Sequence, residues 1–181
     1  MNVDSIFTTR NKVIAVLILL AALSRLFPHP YNFTPIGAIA LFAGTYISSK
    51  RLALLLPMGI LLLSDVLIEL SGGSGFYPDM VFVYGSFALI AMMGFVLRGR
   101  EQRQTIMVAS LVSSVLFFLI TNFGSWMMYD LYPKNFNGLL SSYIAGIPFF
   151  RGTVMGDLFY NFLLFGAFAA IKWRYPLTVK N

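Results

Sequence analysis

The chain is predicted to be an all-α membrane protein of six transmembrane helices with both termini cytoplasmic, and three observations predict it. Of its 181 residues, 58% are hydrophobic and only 11% charged, a balance outside that of soluble globular domains. The apolar residues gather into six continuous stretches, each near the roughly 20 residues that a helix needs to cross a bilayer. The basic residues then alternate with those stretches. Arg10, Lys12, Lys50, Arg51, Arg98, Arg100, Arg103, Lys172, Arg174 and Lys180, ten of the 13 Lys and Arg, fall on one side of the series. Arg25, Lys134 and Arg151 make up the rest. Because Lys and Arg accumulate on the cytoplasmic side, the basic side is read as cytoplasmic and the membrane as a bacterial inner membrane.

The spans are expected at 11–27, 34–49, 51–70, 80–97, 105–129 and 152–173, running alternately outward and inward. Arg10 and Lys12 before the first apolar run raise the question of a signal peptide, with Ala22-Leu-Ser24 as a weak cleavage site. Cleavage there would break the charge alternation, so the segment is read as retained. The second span starts late, because Pro28, Pro30 and Pro35 force the chain out of helix. Ser48-Ser-Lys-Arg51 is a tight inner turn to the third span. The outer links are longer: Ser71–Asp79 is rich in Gly, and Asp130–Arg151 is the longest, with Gly138–Ile147 expected as a short interfacial helix or lid. Tyr31, Tyr77, Trp126, Tyr129, Tyr132, Tyr143, Trp173 and Tyr175 suit interfacial belts. Small residues at Ala40/Gly44, Ser110/Ser114 and Gly166/Ala170 permit close helix contact within the chain. Six spans leave too little chain for a second domain, so residues 1–181 form one.

Several function classes are excluded. Continuous apolar runs do not suit a β-barrel, whose strands alternate. There is no Cys and one His, so thiolate chemistry, disulfides and a multi-histidine metal or haem site are impossible in one chain. The net charge of +6 is distributed as an orientation signal with no basic stripe on a soluble face, so no nucleic-acid partner is expected. No nucleophile–base pair, phosphate loop or metal motif is present, so the protein is read as a non-enzyme without a cofactor or metal. Catalysis would fall to Asp65, Glu69 or Asp157 as acid or base, and no spacing singles out a reaction.

What remains is a polar layer. Ionisable groups inside spans are costly and need a partner or a wet cavity. At about 1.5 Å per residue, Arg25 and Asp65 both lie roughly 20 Å from the inner end of their helices, and Asp157 lies near that level from the other direction. Tyr84 and Asn122 come out slightly higher, and Glu69 stacks one turn above Asp65. Two readings follow. In one, Arg25 pairs with Asp65 or Asp157 and the amides tie helices together. In the other, the layer floors an outward-facing pocket roofed by the 28–35, 71–79 and 130–151 loops. Arg25, Asp65, Asn122, Asp157 and Asn161 would then line or orient the site, with Tyr84, Trp126 and Tyr160 stacking on the ligand and His29 and Asn32 contributed by the first loop. An unpaired Arg25 would be a carboxylate or anion ligand.

The stretch from Arg25 to Gly44 (RLFPHPYNFTPIGAIALFAG), together with Ser64-Asp65, Tyr84-Gly-Ser-Phe-Ala88, Thr121-Asn-Phe-Gly124 and Ile147–Asp157, resembles a family of small bacterial membrane proteins. That family is similar to the substrate-binding (S) components of energy-coupling factor transporters and to the solitary vitamin B12 uptake proteins called BtuM. The likeness covers nearly the whole chain. It implies an S-component-like bundle with an extracytoplasmic substrate cavity, and capture and uptake of a small, vitamin-like solute, with an energy-coupling module as a candidate partner. The BtuM proteins are similar in using a cysteine after the third span to ligate cobalt; this chain has Gly, Ser, Phe and Tyr there. The Ala-xxx-Ala docking face of S components is also missing, since Ala15 is followed by Leu19 and Ala21 by Arg25. The alternative expectation is an accessory or structural subunit of a larger membrane complex that binds lipid or pigment.

Overall fold

A computed structural model describes residues 9–25 and 30–175. They form six α-helices and no strands: α1 (Thr9–Ser24), α2 (Ile36–Tyr46), α3 (Lys50–Leu70), α4 (Met80–Val96), α5 (Arg103–Met128) and α6 (Phe136–Arg174). Successive helices run antiparallel, which cross-helix bonds establish at both ends. At one end Arg25 of the first link meets Asp65 of α3. At the other, Arg10 of α1 donates to the Tyr46 carbonyl at 3.0 Å, and Arg98 donates to the carbonyls of Gly44 and Ile47 at 2.9 and 2.7 Å.

The bundle is organised around α2. All 11 of its residues are buried, against α4 above all and also α3, α6, α1 and α5. Close approach to α4 depends on glycine: a Cβ on Gly44 would run into the Ala91 carbonyl oxygen, and Gly94 meets α2 in the same way. A buried helix end leaves carbonyls without intrahelical partners. Arg10 and Arg98 satisfy those of α2, and their charge suits the negative end of the helix dipole. Two residues of the basic side therefore have a structural task. Phe42, Tyr46, Phe165 and Phe168 pack edge-on and tilted beside them, with ring centroids 4.3–5.8 Å apart.

Three helices, α3, α5 and α6, are long and apolar enough to cross a membrane. Only 28% and 22% of the most apolar windows of α3 and α5 are buried inside the protein, so most of their apolar surface faces outward. Leu55, Leu63, Met107 and Val108 are examples, each more than half exposed. Such a surface is incompatible with water and suits lipid. The shorter α1, α2 and α4 fall below that length.

The largest departure from the sequence reading is the last link. The sequence predicts a long loop over 130–151 holding a short helix at 138–147, followed by a span at 152–173. Instead α6 is one helix of 39 residues, and only Tyr129–Asn135 separates it from α5. Asn135 caps its start by accepting from the Gly138 amide at 2.9 Å. Pro148 costs a backbone hydrogen bond inside the helix. The cost is offset by packing along α5, where Phe150 meets Phe118 at 4.8 Å and Tyr143 donates to the Leu119 carbonyl at 3.0 Å. The small-residue pairs divide as well. Gly44 and Ser110/Ser114 lie at helix contacts, whereas Gly166 has open space around it and Ala170 is exposed.

Candidate functional site

A cavity of about 440 Å³ opens at the end of the bundle away from the Arg10–Arg98 cluster, within the size range of small-molecule sites. All three links at that end reach it: Asn32 and Thr34 from the first, Tyr77 and Asp79 from the second, Leu131 and Tyr132 from the third. Its deeper wall is mostly apolar and aromatic, with Leu61, Val83, Phe87 and Phe117 beside Arg25. The opposite wall comes from the antiparallel pair α5–α6 and includes Asn122, Gly146 and Phe150.

The second link folds down on α3 because Gly75 has no side chain to strike the Asp65 carbonyl. Glu69 then accepts from the Gly75 and Phe76 amides at 2.9 and 3.3 Å. Glu69, one turn above Asp65 in the sequence reading, thus acts on the backbone of this link. The first link turns at Asn32, whose φ of 57° lies in the left-handed region that Asn tolerates better than most residues.

Arg25 and Asp65 form the central polar pair. One guanidinium nitrogen lies 3.0 Å from Asp65 Oδ1 and another donates to Ser64 Oγ, while the Tyr84 hydroxyl donates to Asp65 Oδ2 at 2.9 Å. Asp65 is only 1% exposed, and Arg25 borders the cavity. Of the two expected partners, Arg25 takes Asp65; Asp157 is elsewhere. Asp157 is buried, accepts from Ser114 Oγ at 2.7 Å, and presses its carboxyl against Gly37 at the start of α2. It borders a water-sized void of about 30 Å³ that shares Asn32, Thr34, Phe87, Phe117 and Thr153 with the main cavity.

The expected site residues therefore separate. Arg25, Asn32 and Asn122 line the main cavity, Asp157 the adjoining void, and Asp65, itself bonded by Tyr84, holds Arg25 from behind. Asn122 donates to the Phe118 carbonyl at 2.8 Å, and its side-chain oxygen occupies the place a Cβ on Gly146 would take. Trp126, Tyr160 and Asn161 are not in the lining. Trp126 donates to the Pro133 carbonyl at 2.9 Å and so fixes the α5–α6 turn. Tyr160 accepts from Ser24 at 2.9 Å and packs on Phe33, and Asn161 donates to Ser110 Oγ at 3.0 Å inside the α5–α6 contact. His29 lies outside the described residues.

Asp79 is a wall residue that the sequence reading passes over. It is buried, and accepts from Ser125 Oγ at 2.7 Å and from the Tyr129 hydroxyl at 3.0 Å. The available signal was its place just before the apolar α4, in the Gly-rich link already expected to roof a pocket. Tyr77 beside it suits a membrane belt by sequence, yet it too lines the cavity. Burial, with Asp65 adding to it, pushes the Tyr77 phenol up to about 12.

An all-helical bundle with three membrane-length apolar helices and a loop-roofed polar cavity defines the class of protein. The chain belongs to the family described as "Family of unknown function (DUF6580)", whose model matches residues 5–178. No curated protein and no solved structure matches it.

Proposed function

We propose that the protein is a six-span protein of a bacterial inner membrane, with both termini cytoplasmic, that captures a small solute from the extracytoplasmic side for uptake. The observation that carries this reading is the roughly 440 Å³ cavity under three links at the end of the bundle opposite most of the basic residues. Polar groups inside an apolar bundle need a protein partner, a ligand or a water path, and those at a cavity wall are also open to a ligand. Arg25, Asn32, Asn122 and Asp79 supply such groups, and Tyr77 and the phenylalanines supply stacking area. The likeness to S components and BtuM proteins agrees with this arrangement; a cysteine-ligated cobalt does not, since the chain has no Cys. An energy-coupling module is one candidate partner for the relocation step.

The outward-facing small residues Gly166 and Ala170 favour a second reading, an accessory subunit that packs against a larger membrane protein or holds lipid or pigment. Native mass spectrometry of the detergent-purified protein, followed by denaturing release of bound compounds, separates the two. A stoichiometric small polar compound is expected. Recovery of lipid or pigment alone, or a stably attached large partner, would instead establish the accessory reading.

A further inference from the structure

We propose that the cavity takes an organic cation, a protonated or quaternary amine on an aromatic or apolar body, with Asp79 as the carboxylate that meets its charge. This rests on the solute-capture reading above and adds the class of solute and the residue that selects it.

Charge at the wall is unequal. Arg25 is the only basic residue among those that line the cavity, and Asp65 neutralises it at 3.0 Å while Ser64 takes another of its N–H groups. A carboxylate ligand would have to displace Asp65, which is 1% exposed and held from its other oxygen by Tyr84. Asp79 has no such counter-charge. The ion pairs among the described residues are Arg25–Asp65 and Lys134–Asp130, and both groups bonded to Asp79 are neutral hydroxyls. Each of its oxygens holds one of those hydrogen bonds, so each keeps a further lone pair for a ligand N–H.

The rest of the lining agrees. Tyr77, Phe87, Phe117, Phe118, Tyr132 and Phe150 turn aromatic surface toward the space that Asp79 borders. Aromatic faces attract ammonium groups through the ring quadrupole, most strongly where water is excluded. A buried carboxylate among such rings suits a cation and repels an anion. The cavity end of the chain also carries Asp65, Glu69, Asp79, Asp130 and Asp157 against Arg25, Lys134 and Arg151, a local excess of acid in a protein whose total charge is +6. That field would draw cations toward the opening.

The test uses the intact purified protein and three probes of one shape: 2-phenylethylamine as cation, 2-phenylethanol as neutral, and 3-phenylpropanoate as anion. Binding is read by ligand-observed NMR and calorimetry. The amine is expected to bind best and the anion worst. Asp79→Asn, which keeps the size and an acceptor oxygen, should weaken the amine by about tenfold or more and leave the alcohol unchanged. Asp79→Glu should retain the preference for the amine. An anion that binds best, a preference that survives Asp79→Asn, or no binding of any probe to the unaltered protein would overturn the cation assignment. The ranking on the unaltered protein decides even if a variant does not fold. Solute capture itself fails separately, when denaturing release yields no small polar compound.

Discussion

Arg25 and Asp65 stand 40 positions apart in the chain and meet at 3.0 Å, with Tyr84 on the second carboxylate oxygen. Three helix regions converge on one buried carboxylate, which makes the pair a structural tie that holds Arg25 at the cavity wall. Removing one member leaves the other charged without its partner. Asp65→Asn is therefore expected to destabilise the protein by about 3 kcal/mol, in the range measured for breaking buried pairs. Exchanging both residues together, Arg25→Met with Asp65→Leu, should restore most of that loss. Thermal unfolding in detergent measures both. If the double exchange is as damaging as the single one, the pair is not acting as a compensated unit.

The contact between α2 and α4 makes two glycines unequal. Gly44→Ala places a methyl group against the Ala91 carbonyl and is expected to cost about 1–3 kcal/mol. Gly166→Ala meets open space and should be neutral or stabilising by up to about 1 kcal/mol, because Ala is the better helix former. Opposite signs in the unfolding temperature are the expected result.

Asp157 contrasts with Asp65 in having a hydroxyl, Ser114, in place of a cation. Asp157→Asn keeps the volume and an acceptor for Ser114, so its stability should change by less than about 1 kcal/mol. Solute retention in the same sample then tells which role the residue has. Unaltered melting with lost solute assigns Asp157 to binding, and lost melting with retained solute assigns it to packing.

A chain without cysteine offers a direct topology test. Ser74→Cys, in the exposed second link, should react in intact cells with a membrane-impermeant maleimide. Gln102→Cys, exposed at the other end of the bundle, should react only after permeabilisation. Labelling of both from outside, or the reverse order, would remove the proposed orientation.

Much of this arrangement is legible in the residues. The six apolar runs mark all six helices, and the common level of Arg25 and Asp65 follows from counting turns along helices. The α6 error has a plain cause: Gly138, Gly146, Pro148 and Gly152 are poor helix formers, so the 138–147 helix and the 152–173 span read as separate elements. In the structure three of them are sites of close approach, with Gly138 against Pro133, Gly146 against Asn122 and Gly152 against Tyr31. Such contacts lie between distant parts of the chain, and local propensity cannot register them. Asp79 is hard to single out in the sequence because an acid before a helix looks like an ordinary cap, yet its side chain makes no cap bond and turns to Ser125 and Tyr129. Trp126, Tyr160 and Asn161 lie on the right helices, but the angle of each side chain about its helix depends on packing, which takes all three out of the lining.

The enclosed α2 also bears on how the protein is made. At 11 residues it measures about 16 Å, roughly half the thickness of the hydrocarbon layer, and it emerges from the ribosome before four of the five helices that surround it. Both of its ends finish inside the bundle, the later one on carbonyls that Arg98 of a subsequent segment must satisfy. During synthesis α2 is thus a guest without a host, and it is fully enclosed only when α4 closes over it. Nascent chains halted before Arg98 should accordingly leave α2 accessible to aqueous reagents that can no longer reach it in the finished protein.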